Sequence, residues 1–529
     1  MGMACVTAFA AMTCSKRGLE MAYNQLPYLA IFLPAVLIAY KLTPAAYRKY
    51  TMLASSWIYF YLCSQYLLLY LVGTTVFVYL LGLAMEKFPL KSAPRKALCG
   101  IGIAGLFGTL LYVKYTNFFI KIINTIGSAG TGWHNIPGLH ILVPIGISFY
   151  TLEAVSYLLE VDWGRAGSDH DFCRVALFLG FFPQTMEGPI ARYQDTAMQL
   201  TQGEGLHFNN IRDGAIRIVW GLFKKMLIAD RLNTAVGTLF TNYTQYHGSM
   251  IAISGVFYAL QLYMEFSGVM DIVIGSAQMF GIKLPENFRQ PFFSQTAAEF
   301  WRRWHITLGV WCKTYIFYPV TTSDAAKKWN KFARKKYGKY IAKVTISAMA
   351  LAPVWMFNGL WHGPQWNYIF YGIYYLVLLE LEEVLEPVKK GFYKKTGLSK
   401  DSWFWHLFRI LRTWLIIFTG EMFFRANGLR AGLAMFRSIF YQFHISSMWD
   451  GSLLKLGLDA WDFAVIILGT ATVFVYDLLK EKDIHVWELV SQKKTPVRWA
   501  LVYCLVFAVV IFGAYGAGYQ KVDLIYAGF

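Results

Sequence analysis

Apolar residues along this chain come in long blocks separated by short polar stretches. Ten blocks approach the roughly 20 residues a helix needs to cross a bilayer. They cover 26–40, 66–85, 98–113, 140–159, 251–281, 341–360, 368–379, 404–424, 463–478 and 499–518. Shorter apolar runs at 175–183 and 216–228 read as segments that dip in without spanning. The pattern predicts an all-α polytopic membrane protein with about 10–13 membrane segments. A transmembrane β-barrel would read instead as short alternating strands. Between about 173 and 320 the blocks are interrupted. "FFPQTMEGPIARY" holds two prolines and a glycine, and "ENFRQPFF" another proline. Non-helical backbone at membrane depth survives only when buried in protein or lining a cavity. The middle is therefore expected to hold re-entrant or broken helices around a polar interior, with the outer helices as scaffold. With no internal repeat, low-complexity tract or long linker, 1–529 reads as one membrane domain.

Composition agrees. Of 529 residues 56% are hydrophobic and only 15% charged, where soluble proteins carry about a quarter. The net charge of +18 raises nucleic acid as a partner, but its distribution excludes that reading. The basic residues cluster between blocks, at 41–49, 87–96, 327–339, 389–400 and 480–498. Loops on the cytoplasmic side carry such an excess, and the parity of the blocks between them fits. The seven cysteines, Cys5, Cys14, Cys63, Cys99, Cys173, Cys312 and Cys504, show no paired spacing. They read as small apolar residues, and neither a disulfide framework nor a metal site is expected. In the opening "MGMACVTAFAAMTCSKRG" the positive charges follow the apolar run, so no cleaved signal peptide is expected. Cys5-Val6 also breaks the myristoylation pattern.

Three stretches place polar chemistry inside apolar sequence. "LQLYMEFSGVMDIVIG" carries Glu265 and Asp271, each costing about 2.5–3.5 kcal/mol in hydrocarbon. Ser267 and Asp271 share a helix face. They are either a cavity wall paired with Arg302 or Arg303, or polar glue between helices. "EFWRRWHITLGVW", taken as one helix, sets Trp301, Trp304, His305 and Trp311 on a ring-rich face beside Arg302 and Arg303. An interfacial helix, with Trp at headgroup depth and Arg reaching to water, reads equally well. "FNGLWHGPQW" places His362 between two glycines, after a span with no ionisable residue beyond Lys343. A lone buried histidine is either satisfied by a neighbour or acts as a general base, since neutral imidazole can take a proton from a hydroxyl.

The chain resembles the membrane-bound O-acyltransferases, in the bacterial branch of the alginate O-acetylation and D-alanyl-lipoteichoic acid transfer proteins. The resemblance rests on "VPIGISFYTLEAVSYLLEV", "FFPQTMEGPIARY", "MEFSGVMDIVIG", "PENFRQPFFSQTAAEFWRRWHITLGVW", "NGLWHG" and "MFFRA", in that order. It covers about 26–425 and leaves about 426–529 as a helical extension. It implies helices around a central funnel or tunnel, with His362 and His305 as the catalytic histidines at its neck. Trp304 and Trp361 would line that neck, and Arg302, Arg303 and Asn287 would join them around the substrate. His362 would be the base; His305, Asn287 or a backbone N–H would hold the oxyanion.

The implied activity is O-acyl transfer across the plasma membrane, from a cytoplasmic thioester to a hydroxyl outside. The donor is acyl-CoA or an acyl carrier protein, drawn to the basic face. No bound cofactor and no metal are implied. A short acyl group, foremost acetyl, moving toward a cell-surface polysaccharide is the preferred reading, and the acetylation branch implies a separate extracellular acyltransferase as a further partner. D-alanyl transfer to teichoic acid is the alternative. "YIFYPVTTSDAAKKW" departs from the acetylation branch, which continues there with a Gly-rich turn. A transporter or a scaffold of a polymer-export complex is the non-catalytic alternative; transporters show internal repeats more often than not, and none is seen.

Overall fold

The structure, a computed structural model, describes residues 21–128, 133–397, 399 and 402–515. The readings made for the opening segment, with Cys5 and Cys14, lie outside the described residues. All ten apolar blocks contain helix among the described residues, and the protein is an all-α polytopic membrane protein. Among the described residues, six helical stretches are long and apolar enough to cross a membrane: Ala45–Glu86, Ala93–Gly127, Ser249–Met279, Asp324–His362, Ala460–Glu481 and Thr495–Phe512. Trp366–Val384 and Trp403–Arg425 have comparable length, 19 and 23 residues. They carry Glu380, Glu382 and Glu383, and Arg409, Arg412 and Glu421, which lower their hydropathy.

The described residues fall into two compact units. The first draws on 21–222 and 269–285, the second on 223–268 and 286–515. In the first, Ala93–Gly127 packs against Leu68–Glu86 and Ile147–Asp162. The predicted interruption appears here as the unwound stretch 181–191, buried at every residue. Several of its polar groups find partners inside the unit. Tyr23 donates its hydroxyl to the Phe182 carbonyl at 2.9 Å and accepts from the Met186 N–H at 3.1 Å. The Phe182 N–H reaches Ser56 Oγ at 3.2 Å. Glu153 Oε1 accepts from Gln184 Nε2 at 3.1 Å and from the Ala191 N–H at 3.2 Å. Gly146, at φ 70°, sits where a Cβ would fall 1.8 Å from the Thr185 carbonyl oxygen, so "PIG" has to end in glycine.

The second unit is organised by a hairpin of the helices Asp324–His362 and Trp366–Val384. Their backbones approach closely because Gly359 and Gly372 have no side chain. A Cβ on Gly359 would meet the Tyr368 oxygen at 2.5 Å, and one on Gly372 the Trp355 oxygen at 2.4 Å. The basic stretches 327–339 and 389–400, read from sequence as loops, are largely helical. Asp324–His362 runs through the first, with non-helical backbone only at Gly338 (φ 89°). Ser323 caps its start by accepting from the Ala326 N–H at 3.2 Å. Glu386–Thr396 takes up the second, ended by Gly397 at φ 64°. Lysine and alanine are good helix formers, and charge marks the side of the membrane, not the absence of helix.

The charge bias places the 324–337 segment on the cytoplasmic face. Three crossings, by the rest of Asp324–His362, by Trp366–Val384 and by Trp403–Arg425, then carry the chain outside before 440–459. Single cysteines introduced at Lys335 and Ser446 should react with an impermeant maleimide from opposite faces, Lys335 from the cytoplasm. Labelling of both from one face would remove one of these crossings.

Candidate functional site

His305 lies at a break, not on the single helix expected for 299–311. Ala297–Arg303 is capped by Thr296, whose hydroxyl accepts from the Glu299 N–H at 3.0 Å. Trp304 leaves that helix in extended conformation, His305 adopts φ 44°, ψ 52°, and Ile306–Cys312 begins a second seven-residue helix. A left-handed non-glycine residue costs about 1–3 kcal/mol, and such strain concentrates at functional sites. The turn is over-determined from outside. Phe288 and Trp304 form an antiparallel bridge. The Arg289 N–H donates to the Arg303 carbonyl at 2.9 Å, and the Ile306 N–H to the Asn287 carbonyl at 3.0 Å. Asn287 Oδ1 accepts from the Thr307 N–H at 3.1 Å and the Thr307 hydroxyl at 3.0 Å, and lies 3.2 Å from His305 Nδ1.

These contacts fix the histidine's tautomer. The Thr307 N–H can only donate, so the Asn287 oxygen faces the turn. His305 Nδ1 is then the protonated nitrogen, and Nε2 keeps the lone pair. The two flanking helices are too short to cross a bilayer, yet His305 is buried, and burial pushes its imidazole down to about 3. His305 is therefore neutral at ordinary pH.

His362 closes the helix Asp324–His362. Gly363 follows at φ 151°, ψ 171°, a conformation close to glycine-only. The two histidines share one neighbour. The Trp361 ring centroid lies 5.8 Å from that of His305 and 5.0 Å from that of His362. Phe266 meets His305 edge-on at 4.9 Å. Phe424 meets His362 edge-on at 4.9 Å, with Tyr371 at 6.2 Å and Tyr368 at 6.3 Å. Both imidazoles thus lie among aromatic rings in the second unit, His305 4% and His362 7% exposed.

The other expected site residues separate into two groups. Trp304, Trp361 and Asn287 are buried with the histidines. Trp304 stacks on Phe300 at 5.4 Å and meets Phe288 at 5.0 Å. The arginines point elsewhere. Arg302 is exposed. Arg303 forks onto Glu481 at 2.6 and 3.0 Å and reaches Glu299 at 2.7 Å.

Glu265 and Asp271 are ion-paired, but with neither arginine of that segment. In the second unit Lys225 Nζ lies 3.5 Å from Glu265 and 2.8 Å from Asp230, while Lys224 donates to Ser267 at 2.9 Å. In the first unit Arg217 pairs with Asp271 at 2.9 Å. Both lysines sit on the π-helical turn Phe223–Ala229. The sequence reading took 216–228 as an apolar dip and passed over the cations inside it. Charges within so apolar a run were the available signal. Tyr371 and Glu421 were also missed, because neither stands out in its local sequence.

The family model described as MBOAT, the membrane-bound O-acyltransferase family, matches residues 147–425. The chain is 28% identical over 481 residues to a probable alginate O-acetylase of Pseudomonas putida, covering 90% of this chain and 91% of that one. It is 28% identical over 369 residues to a peptidoglycan O-acetyltransferase of Helicobacter pylori, covering 64% of each. It is 28% identical over 254 residues to a teichoic acid D-alanyltransferase of Bacillus subtilis, covering 47% of this chain and 61% of that one.

Removing one partner of a buried ion cluster leaves an uncompensated charge, at a cost of about 3–5 kcal/mol. Lys225→Ala, which strands Asp230 and Glu265, should therefore lower the thermal midpoint of the detergent-purified protein. An unchanged midpoint would show that the cluster contributes nothing to stability.

Proposed function

The chain belongs to the membrane-bound O-acyltransferase family, and from that premise we propose that it moves an acetyl group from a cytoplasmic thioester toward hydroxyls of a cell-surface polysaccharide. It is a multi-pass membrane O-acyltransferase; donor, acyl group and acceptor are the proposed part. The extent of the likeness to the alginate O-acetylase, 90% of this chain, supports acetyl over D-alanyl. The second reading, D-alanyl transfer to teichoic acid, draws on the missing Gly-rich turn after Pro319 and on the likeness to the D-alanyltransferase.

The observation that carries the mechanism is the single indole, Trp361, in contact with both histidines. His362 takes the proton of the acceptor hydroxyl as its oxygen attacks the thioester carbonyl. When the tetrahedral intermediate collapses, the C–S bond breaks and the same proton goes to the leaving sulfur. Base duty is assigned to His362 on the resemblance of "NGLWHG" to the family's catalytic segment, while burial keeps the His305 imidazole neutral. His305 Nε2, held as a lone-pair acceptor by the Asn287 contact, accepts from a neighbouring hydroxyl of the sugar and so orients the acceptor, which leaves the attacking hydroxyl's one proton to His362 and the oxyanion to other donors. Trp304 and Trp361 exclude water from the thioester and so limit hydrolysis. The acyl thioester, on coenzyme A or a carrier protein, enters as substrate from the basic face. A separate extracellular acyltransferase would complete delivery to the polymer.

His362→Ala should lower transfer from labelled acetyl thioester by about 10²–10⁴-fold with normal membrane insertion. Retention of more than a tenth of wild-type transfer would remove His362 as the base. Labelled D-alanyl carrier, offered in parallel, distinguishes the two acyl readings.

His305→Gln keeps a hydrogen-bonding group where His305→Ala does not. The Gln variant should therefore retain the higher kcat/KM. Equal losses would count against orientation by a hydrogen bond and for a need for imidazole itself.

A further inference from the structure

We propose that Glu421 and Tyr371 form a positioning pair that holds the imidazole of His362 for proton transfer. The inference rests on the assignment of His362 as the base. Glu421 lies on the helix Trp403–Arg425 and is 2% exposed. Its Oε1 accepts from the Tyr371 hydroxyl at 2.8 Å, while Oε2 has no hydrogen-bond partner among the described residues. Leaving one oxygen of a buried carboxyl unsatisfied is costly. A carboxyl kept in such a place invites a functional account.

Its place in the unit supplies one. The Tyr371 ring stands edge-on to His362, at 6.2 Å and 83°, and to Trp301, at 6.1 Å and 90°. Tyr375 crowds its other side at 4.9 Å. Glu421 and Phe424 stand three residues apart and share a helix face. Glu421 therefore fixes Tyr371 while Phe424 touches His362 directly at 4.9 Å.

The carrier helix is itself fixed at this end. Asn367 Nδ2 donates to the carbonyls of Phe424 at 3.0 Å and Ala426 at 3.2 Å. At Gly420 a Cβ would fall 2.3 Å from the Tyr375 hydroxyl oxygen, so the helix approaches as closely as backbone allows. His362 closes its own helix, and its ring is held by neighbouring rings from Trp366–Val384 and Trp403–Arg425. The Tyr371–Glu421 hydrogen bond couples those two helices beside it. Small misplacements of a reacting group cost large factors in rate. One hydrogen bond setting the angle of the adjoining ring is thus expected to appear in kcat and not in substrate binding.

The test uses the full-length protein in detergent or vesicles, with labelled acetyl thioester and kcat and KM measured separately. Tyr371→Phe removes one oxygen and Glu421→Ala removes the acceptor; each should lower kcat by about tenfold or more with KM unchanged. Glu421→Gln keeps an oxygen acceptor for the Tyr371 hydroxyl and should recover most of kcat. Wild-type kcat in Tyr371→Phe would overturn the proposal, and so would equal losses in Glu421→Gln and Glu421→Ala. If Glu421→Ala fails to fold, Tyr371→Phe and Glu421→Gln decide. His362→Ala run alongside separates the two levels. If it stays active, the base assignment fails. If it is inactive while the pair's variants are not, only the positioning pair fails.

Discussion

A chain that leaves the α-helix inside a membrane protein must find every lost backbone hydrogen bond within the protein. The geometry of the candidate site depends on how that demand is met at His305. There the helix stops, one residue turns left-handed, and a new helix starts. Histidine tolerates positive φ better than most residues, but that alone does not place a helix break. Asn287 supplies what is missing, its carbonyl accepting from Ile306 and its side-chain oxygen from Thr307. The same oxygen meets His305 Nδ1. Satisfying the backbone and choosing the histidine's tautomer are therefore one event. In the other unit the unwound stretch 181–191 meets the same demand through Tyr23, Ser56 and Glu153. No imidazole lies among those partners, so unwinding alone does not make a site.

Charge obeys the parallel rule that a buried ion needs a counter-ion. Lys225 answers Glu265 and Asp230, Arg217 answers Asp271, and Arg303 answers Glu481 and Glu299. The ring neighbours of the His305 imidazole within its own unit include Phe266 and Trp361, and burial there disfavours its imidazolium form.

Much of the fold was legible because the signal was long and repetitive. The ten apolar blocks map onto helices, and the prolines of "FFPQTMEGPIARY" marked the unwound stretch. What was not legible is short and non-local. "EFWRRWHITLGVW" contains no glycine or proline at its break, so local propensity favours one continuous helix. The break is imposed by Asn287, some eighteen residues earlier in the chain. The partners of Glu265 and Asp271, Lys225 and Arg217, sit more than thirty residues away in a stretch that reads as apolar. Arg303 looked like a site residue because it neighbours His305 in sequence, but helical geometry points it to Glu481 instead. For His362 the local sequence left two readings open, and only the family resemblance singled it out. Glu421 was not, since its meaning comes from Tyr371 on another helix.

The two histidines reach their shared indole from different backbone settings. His305 is gripped through a ring nitrogen, so its tautomer is set and its other nitrogen can only accept. Deep burial then removes it from proton exchange near neutral pH. His362 is the last residue of a long helix, followed by a glycine in an extended left-handed conformation. Aromatic contacts with Trp361, Phe424 and Tyr371 surround its ring. A general base has to gain and return a proton within one turnover without leaving its position. Contacts through ring edges and faces hold a ring in place whichever protonation state it is in, whereas a hydrogen bond to one nitrogen favours a single state. On the proposed mechanism, the ring contacts around His362 are compatible with carrying the proton, and the Asn287 contact leaves His305 as an acceptor for a second hydroxyl of the substrate.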